Sequence, residues 1–310
     1  MKENVNLKEY TYLRIGGDAR FFVEVTTEDE LQDAVVFAKK KKLPFFILGA
    51  GSNVLVSDQG FSGIIIRMRI QNFARQGATL RVGAGMPNAV VVARAAEAGL
   101  TGIEWMIGIP GSVGGSVRGN AGCYSGEMKD VVSRVRFFDT IRGEFQEEEN
   151  TFCEFGYRES IFKQHQEWVI TQVELVLREG SPEVSRRFIR HYSRERARSQ
   201  DIGSSSAGCL FKNIRWPKDD VAHARLLRRF PELAQFSQRS TVPSSFLIDR
   251  LGLKGKKIGH AFISPKHANF IINEGGATAE EIIILAGLIK EYVHRKFDLQ
   301  LEEEIQMIGF

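Results

Sequence analysis

Hydrophobic and polar positions change their period several times along the chain, and each change marks an element. Residues 21–25, FFVEV, have the aromatic and β-branched make-up of a strand. Thr27 and Glu30 have capping-box spacing, and LQDAVVFAKKK continues with one apolar face at helical period. LPFFILG returns as a strand. NVLVSD, GFSG and IIIRM then read as strand, turn, strand, with glycine serving a β-hairpin-like turn. This opening βαβ portion ends near residue 70. ATLRVGAG predicts a strand and NAVVVARAAEAG a helix. VVSRVRFFDT, GEFQEEE and EWVITQVELVL predict strands of a mostly antiparallel sheet. Ser181-Pro182 opens a helix to about Arg198, serine as cap and proline in the first turn. The polar stretch SQDIGSS, 199–205, marks a boundary. Beyond it DDVAHARLLRRF and PSSFLIDRLGL read as helices, and AFIS and NFIIN as strands. Thr278 and Glu281 form a second capping box before a helix from 279 to about 297. Its expected apolar face is Ile283, Leu285, Leu288, Ile289, Tyr292 and Val293. LEEEIQMIG closes the chain as a strand.

Two glycine-rich runs interrupt this pattern, FFILGAGSNVLV at 45–56 and GIPGSVGGSVRGNAG at 108–122. Glycine lets a backbone approach a phosphate and lets its N–H groups converge on an anion. Gly49 and Gly51 begin a dinucleotide-like G-x-G, but Val54 occupies the third glycine position. A strand follows where a Rossmann unit needs a helix N-terminus. Paired loops of this kind suggest a large phosphate-bearing cofactor held from two sides, against a bland reading in which the glycines serve turns alone.

Bulk properties narrow the class. A chain of 310 residues has room for two or three domains, and 43% hydrophobic residues can supply real cores. A net charge of +4, from 42 basic and 38 acidic residues, is too small to argue for nucleic acid. Cys123, Cys153 and Cys209 are few and lack metal-ligand spacing, which fits a reducing compartment. MKENVNLKEY has no apolar signal core, and no run approaches a membrane span. These features lead to the expectation of a cytoplasmic monomer without nucleic-acid or membrane partners and without a metal.

Several segments could carry chemistry. In CEFGYRESIFK, 153–163, Tyr157, Arg158 and Ser160 stand beside Phe155, Ile161 and Phe162. An arginine so flanked can clamp an anion, although a surface arginine is the commoner outcome. In SSSAGCLFKN, 204–213, Cys209 follows glycine and precedes Lys212 and Asn213. It could donate a proton or act as nucleophile, against a packing role for a free cysteine. LEEEIQ, 301–306, would place Glu302 and Glu304 on one strand face and Glu303 on the other, or form a solvated acidic edge. RRFIRHYSRERAR carries six arginines between 186 and 198, which read as a solvated helix face with one or two reaching a substrate diphosphate. His260 and His267 lack partners at metal-ligand spacing.

Taken in order, TYLRIGGDARFF, ILGAGSNVLVSDQGFSGIII, GIEWMIGIPGSVGGSVRGNAGCYSGE, FGYRESIFK, SAGCLFKN, IDRLGLKGKKIGHAFISPKHANFIIN and LEEEIQMIG resemble the UDP-N-acetylenolpyruvoylglucosamine reductases of bacterial cell-wall synthesis. The resemblance covers nearly the whole chain. It implies an α+β protein with a vanillyl-alcohol-oxidase-type (PCMH-type) FAD-binding region in two subdomains, 1–70 and 71–198. A substrate domain, 199–298, and a C-terminal strand returning to the active site, 299–310, would follow. It also implies that NADPH gives a hydride to tightly but non-covalently bound FAD and leaves. UDP-N-acetylglucosamine enolpyruvate then enters, and reduced flavin N5 passes hydride to its terminal methylene. Charge develops on the substrate carboxylate, and the alpha carbon must be protonated.

By motif match, Arg158 would stabilise that charge, and Glu304 would assist as a protonated acid or through hydrogen bonding, its pKa raised by burial. The family's usual acid after SAG is a serine, and this chain has Cys209 there. A thiol, with a reference pKa of about 8.5, gives up a proton more readily than a hydroxyl. An exposed thiolate there would be open to oxidation. Gly49, Gly51, Ser52 and Asn53 would line the FAD pyrophosphate. Pro110, Gly111, Ser112, Gly114, Gly115, Asn120 and Tyr124 would hold the flavin and its phosphates from the other side, with Arg14 and Gly16 shaping the N-terminal contact. Tyr157 would stand on the substrate side, and Lys212 and Asn213 would meet the UDP portion. Ala50 and Ile214 depart from the family's usual glycine and proline. The short interval from Arg158 to Cys209 resembles the branch without an extra substrate-covering insertion. Two other readings stay open at this point: a different FAD oxidoreductase of the same fold acting on an alcohol or hydroxy acid, and a non-catalytic flavin or sugar-nucleotide sensor.

Overall fold

Strand β2 (Asp18–Val25) leads into helix α1 (Glu28–Lys41), whose first turn is acidic and last turn basic, complementing the helix dipole. Thr27 Oγ1 accepts the Glu30 N–H at 3.2 Å, but the Glu30 carboxylate reaches back to the N–H and hydroxyl of Thr26. One arm of the expected capping box is therefore displaced by a residue. Lys42, at φ 55, ends the helix, and β3 (Phe45–Leu48) follows. The computed structural model describes residues 1–310. It pairs β1 (Lys2–Asn6) antiparallel with β2, and β5 (Phe61–Met68) parallel with both β2 and β3, in the order β1-β2-β5-β3.

The continuous apolar run of β5 follows from burial on both faces. Ile64 and Ile66 join a core of 35 buried residues, while Ile65 faces a smaller core of eight. β4 (Val54–Val56) is not the partner of β5, so the hairpin reading of this passage fails. β4 instead pairs parallel with Gln306–Ile308. It too divides its side chains, with Val54 and Val56 in the small core and Leu55 in a third core of 25 residues. A local reading of alternation could not see that the partner lies some 250 residues away.

β6 (Phe73–Gln76) and β7 (Thr79–Gly83) form one side of a five-stranded antiparallel sheet completed by Val132–Asp139, Glu144–Glu149 and Trp168–Val176. Helix α2 (Asn88–Glu97) and the helix Pro182–Ser199 form where expected, the latter capped by Ser181 with proline in its first turn. Phe137 and Phe162, fully buried, pack with Phe152 and Trp168 under this sheet.

The third core draws mainly on residues 210–305 and is closed by Leu13, Ile15 and Leu55 from the opening segment. Its long helix, Ala279–Phe297, has both arms of the Thr278–Glu281 capping box. The buried face is Ile282, Leu285, Ala286, Ile289, Val293 and Phe297; Ile283, expected inside, is 36% exposed. No helix is long and apolar enough to cross a membrane.

Asp58 ties this helix to the end of β4. Its carboxylate accepts the Ala279 N–H at 2.9 and 3.0 Å and the Glu280 N–H at 3.4 Å. Asp58→Ala should lower unfolding free energy by about 1 kcal/mol, the usual cost of a lost N-terminal cap, measured by urea titration. An unchanged midpoint would contradict this.

Candidate active site

Arg158 owes its direction to a tight turn. Gly156 and Glu159 exchange backbone hydrogen bonds of 3.0 and 3.2 Å, and Arg158 between them has φ 56. A left-handed conformation costs an ordinary residue roughly 1–2 kcal/mol, so the surroundings must hold it. Asn120 Nδ2 donates to the Gly156 carbonyl at 2.9 Å, Lys163 Nζ donates to the Arg158 carbonyl, and fully buried Ser160 donates to the Arg118 carbonyl at 2.7 Å. The Arg158 guanidinium then gives Nη2 to the Gly122 carbonyl at 3.1 Å and sets Nε 2.9 Å from Glu304 Oε1. That Nε–H is not aligned with the carboxylate, and the nitrogen is buried without a hydrogen-bond acceptor. Burial pulls the arginine pKa down, but Glu304 together with Tyr157, Cys209 and Cys123 outweighs it, and the guanidinium stays charged.

Cys209 and Glu304 arrive from separate parts of the chain. Leu210 N–H donates to the Asn269 carbonyl and Glu304 N–H to the Leu210 carbonyl, both at 2.8 Å. Lys212 N–H donates to the Glu302 carbonyl at 2.9 Å, and Phe211 bridges to Glu303. Residues 209–212 thus lie between 269–270 and 302–304. The alternation expected for the glutamates appears: Glu303 turns to Lys290 at 2.8 Å, Glu302 comes within 3.6 Å of Lys212, and Glu304 meets Arg158. Strand geometry proper is confined to Gln306–Ile308. The acidic-edge reading does not apply to Glu304, whose side chain is only 19% exposed. Burial raises its carboxyl above the usual range against the pull of Arg158. Burial, with Glu304 adding to it, pushes the Cys209 thiol up to about 12. The exposed, oxidation-prone thiolate is therefore not what the fold builds; this sulfur is a protonated thiol at neutral pH.

These three groups open on a cavity of about 1380 Å³, larger than the usual few-hundred-Å³ small-molecule site. The two glycine loops form one wall, with Gly49, Gly51, Ser52 and Asn53 from the first, and Pro110, Gly111, Ser112, Gly114 and Gly115 from the second. They touch: Ser52 Oγ donates to the Pro110 carbonyl at 2.9 Å, and a Cβ on Gly49 would lie 2.6 Å from Ser112 Oγ. Gly51, at φ 70, is required by the Tyr10 carbonyl, which a Cβ would meet at 2.0 Å. The backbone N–H groups of Gly49, Ala50, Gly51, Ser52 and Asn53 donate to no other group of the protein. Such a run of unpaired donors is an anion cradle.

The remaining expected site residues divide between the cavity lining and the structure behind it. Asn120 is 1% exposed and braces Glu127, Lys129 and Gly156, outside the cavity wall. Tyr124 stacks on Tyr192 with centroids 4.7 Å apart, also off the wall. Tyr157 and Asn213 stand behind it, the Tyr157 hydroxyl accepting the Asn213 N–H at 3.0 Å. Lys212 lines the cavity, held by Glu159 at 3.0 Å. Arg14 lines it as well, whereas Gly16 packs on Val56. The residues missed from sequence are Arg118 and Lys163 on the same wall. Of the basic helix, Arg196 alone lines the cavity, with buried Nε unpaired, where it passes under Gly108. Spacing on a helix face carried no sign of which arginine would turn inward.

Comparison with known proteins shows the family and the fold. Residues 19–147 match the family description "FAD binding domain". Residues 200–308 match "UDP-N-acetylenolpyruvoylglucosamine reductase, C-terminal domain". The reductase of that name from Carboxydothermus hydrogenoformans is 36% identical over 309 residues, covering 99% of this chain and 93% of its own. That of a Synechococcus species is 35% identical over 316 residues, covering 100% and 91%. The crystal structure of the Thermus caldophilus reductase superposes with a TM-score of 0.78 at 35% identity, over 98% of both chains. The α+β class and the FAD-binding region expected from sequence both hold. With 99% of its length matched at 36% identity, an FAD-binding domain over 19–147 and the reductase C-terminal domain over 200–308, the chain belongs to the UDP-N-acetylenolpyruvoylglucosamine reductase family of FAD-dependent oxidoreductases.

Proposed function

We propose that this chain reduces UDP-N-acetylglucosamine enolpyruvate to UDP-N-acetylmuramate with NADPH as the source of hydride, and that Arg158, Cys209 and Glu304 carry the protein's share of the reaction. The observation that carries this reading is the meeting of those three groups on one cavity that is also lined by a run of unpaired N–H donors. The first glycine loop fits the FAD pyrophosphate, with the second beside it. Bound there, FAD would supply hydride transfer. The chain has no separate dinucleotide fingerprint, so NADPH and the sugar nucleotide would use the cavity in turn. Lys212 would face the nucleotide's charge from the wall, with Asn213 and Tyr157 supporting it from behind. The division at 70, 198 and 298 belongs to the same proposal.

Hydride added to the methylene of an enolpyruvyl ether leaves a carbanion alpha to a carboxylate. Arg158 holds a full positive charge and an unaligned Nε–H in a buried site, where a developing carboxylate charge is stabilised far more than in water. A protonated Glu304 would donate a hydrogen bond to that charge. Cys209, protonated at neutral pH, would give its proton to the alpha carbon. Burial removes much of a thiol's ordinary acidity, so the donor is closer in strength to a hydroxyl than its reference value implies.

Cys209→Ala should leave NADPH-dependent flavin reduction intact and slow reduction of the enolpyruvyl substrate by about 10²–10⁴, the usual range for a positioned acid, with Cys209→Ser keeping part of the rate. Stopped-flow absorbance of each half-reaction checks this, and equal losses in both would reject the assignment. In deuterated water the wild-type product should carry deuterium at the alpha carbon.

Glu304 also makes a pH prediction. A carboxyl whose folded pKa is raised binds more protons folded than unfolded above the reference value of about 4.3, so its contribution to stability is lost as pH rises through the folded value. Urea titrations at stepped pH should show wild-type stability falling above that reference relative to Glu304→Gln. Parallel curves would mean the carboxyl is not perturbed.

A further inference from the structure

We propose that Lys163 is a positioning residue for this reduction: its ammonium, donating to the Arg158 carbonyl, holds the left-handed turn that aims the Arg158 guanidinium at Glu304 and at the reacting carboxylate. The inference rests on the function proposed above and adds a group to it.

The turn at 156–159 is pinned at its ends by backbone hydrogen bonds, while the Arg158 peptide at its centre takes no backbone partner. Gly156 and Glu159 bind each other, and Asn120 binds Gly156. Arg158 is neither glycine nor asparagine, yet it stands at φ 56, a conformation that carries a penalty of roughly 1–2 kcal/mol. The Arg158 carbonyl accepts from Lys163 Nζ and from no other donor in the protein. Lys163 leaves the short helix Ile161–Gln164 with its side chain only 19% exposed. Its charge is shared with Glu159 at 3.9 Å, which in turn holds Lys212 at 3.0 Å. The ammonium is thereby committed to the turn and its neighbours. Without it the peptide can relax toward a negative φ, and the guanidinium, four bonds out, swings away from Glu304. A displacement of about 1 Å at a catalytic group can cost around a hundredfold in rate.

The test uses the FAD-loaded enzyme and its two half-reactions, followed by flavin absorbance. Lys163→Met should leave flavin reduction by NADPH within about twofold of wild type and slow single-turnover reduction of the enolpyruvyl substrate by about a hundredfold, with substrate affinity nearly unchanged. Lys163→Arg, which keeps a donor, should recover much of the rate. In an Arg158→Ala background, Lys163→Met should add less than about a further twofold, because both changes remove one function. Weakened substrate binding at unchanged rate would make Lys163 a direct anion contact and overturn the inference. So would equal slowing of both half-reactions, or full additivity with Arg158→Ala. Should Lys163→Met lose its flavin, Lys163→Gln carries the same comparison with a shorter donor. A wild-type enzyme that accepts hydride from NADPH and never reduces the enolpyruvyl substrate would overturn the proposed function. Normal wild-type turnover beside an unimpaired Lys163→Met would overturn this inference alone.

Discussion

The chain's last residues hold the large cavity together. Residues 302–304 lie against 210–212, and Gln306–Ile308 pairs with β4 immediately after the first glycine loop. Asn53 joins the two events, its side chain donating to the Glu304 carbonyl at 3.1 Å and its own carbonyl accepting the Gln306 N–H at 3.0 Å. A ladder bond is individually worth about 1 kcal/mol, but here the ladders set one carboxylate beside the unpaired N–H groups of the first glycine loop and the half-buried Cys209 thiol. The side chains of β4 divide between two cores, so the strand cannot slip in register without exposing one of them.

Charge in the cavity is arranged by enclosure as much as by proximity. Arg118, Arg158 and Lys163 stand on the same wall as Lys212. Burial lowers the pKa of Arg118 and of Lys163, while Glu159 raises that of Lys212 against burial. Carboxylates offset part of this positive charge from within the wall. Lys163 is committed to the Arg158 carbonyl and Glu159, while Arg158 and Lys212 line the cavity. Enclosure also raises the Cys209 thiol well above its usual range, so that it stays protonated at neutral pH.

Much of the architecture was legible because local periodicity carries it. Helices with caps and apolar stripes at helical period, such as 182–199 and 279–297, appeared close to their expected bounds. The antiparallel strands of the second sheet did so as well. The misreadings share one cause. β4 next to β5 looks like a hairpin because sequence neighbours usually pair, and only a distant partner prevents it. Ile283 looks like core because it is apolar, but Ile282 holds the inward angle. Asn120 and Tyr124 are a different case: their packing makes one a brace for the Arg158 turn and the other part of an aromatic stack, which spacing in a glycine-rich motif did not show.

By itself the amino-acid sequence determined the element order and the two glycine loops, since these depend on residue type and short-range spacing; Arg158, Cys209 and Glu304 stood out only through the resemblance of their motifs to the reductase family. Tertiary structure decided which loop N–H groups stayed unpaired, which arginine of a basic helix turned inward, and how far the thiol and carboxyl were driven from their ordinary acidities. Those properties arise from what packs against a group and from how much water is excluded around it, and both depend on partners hundreds of residues away.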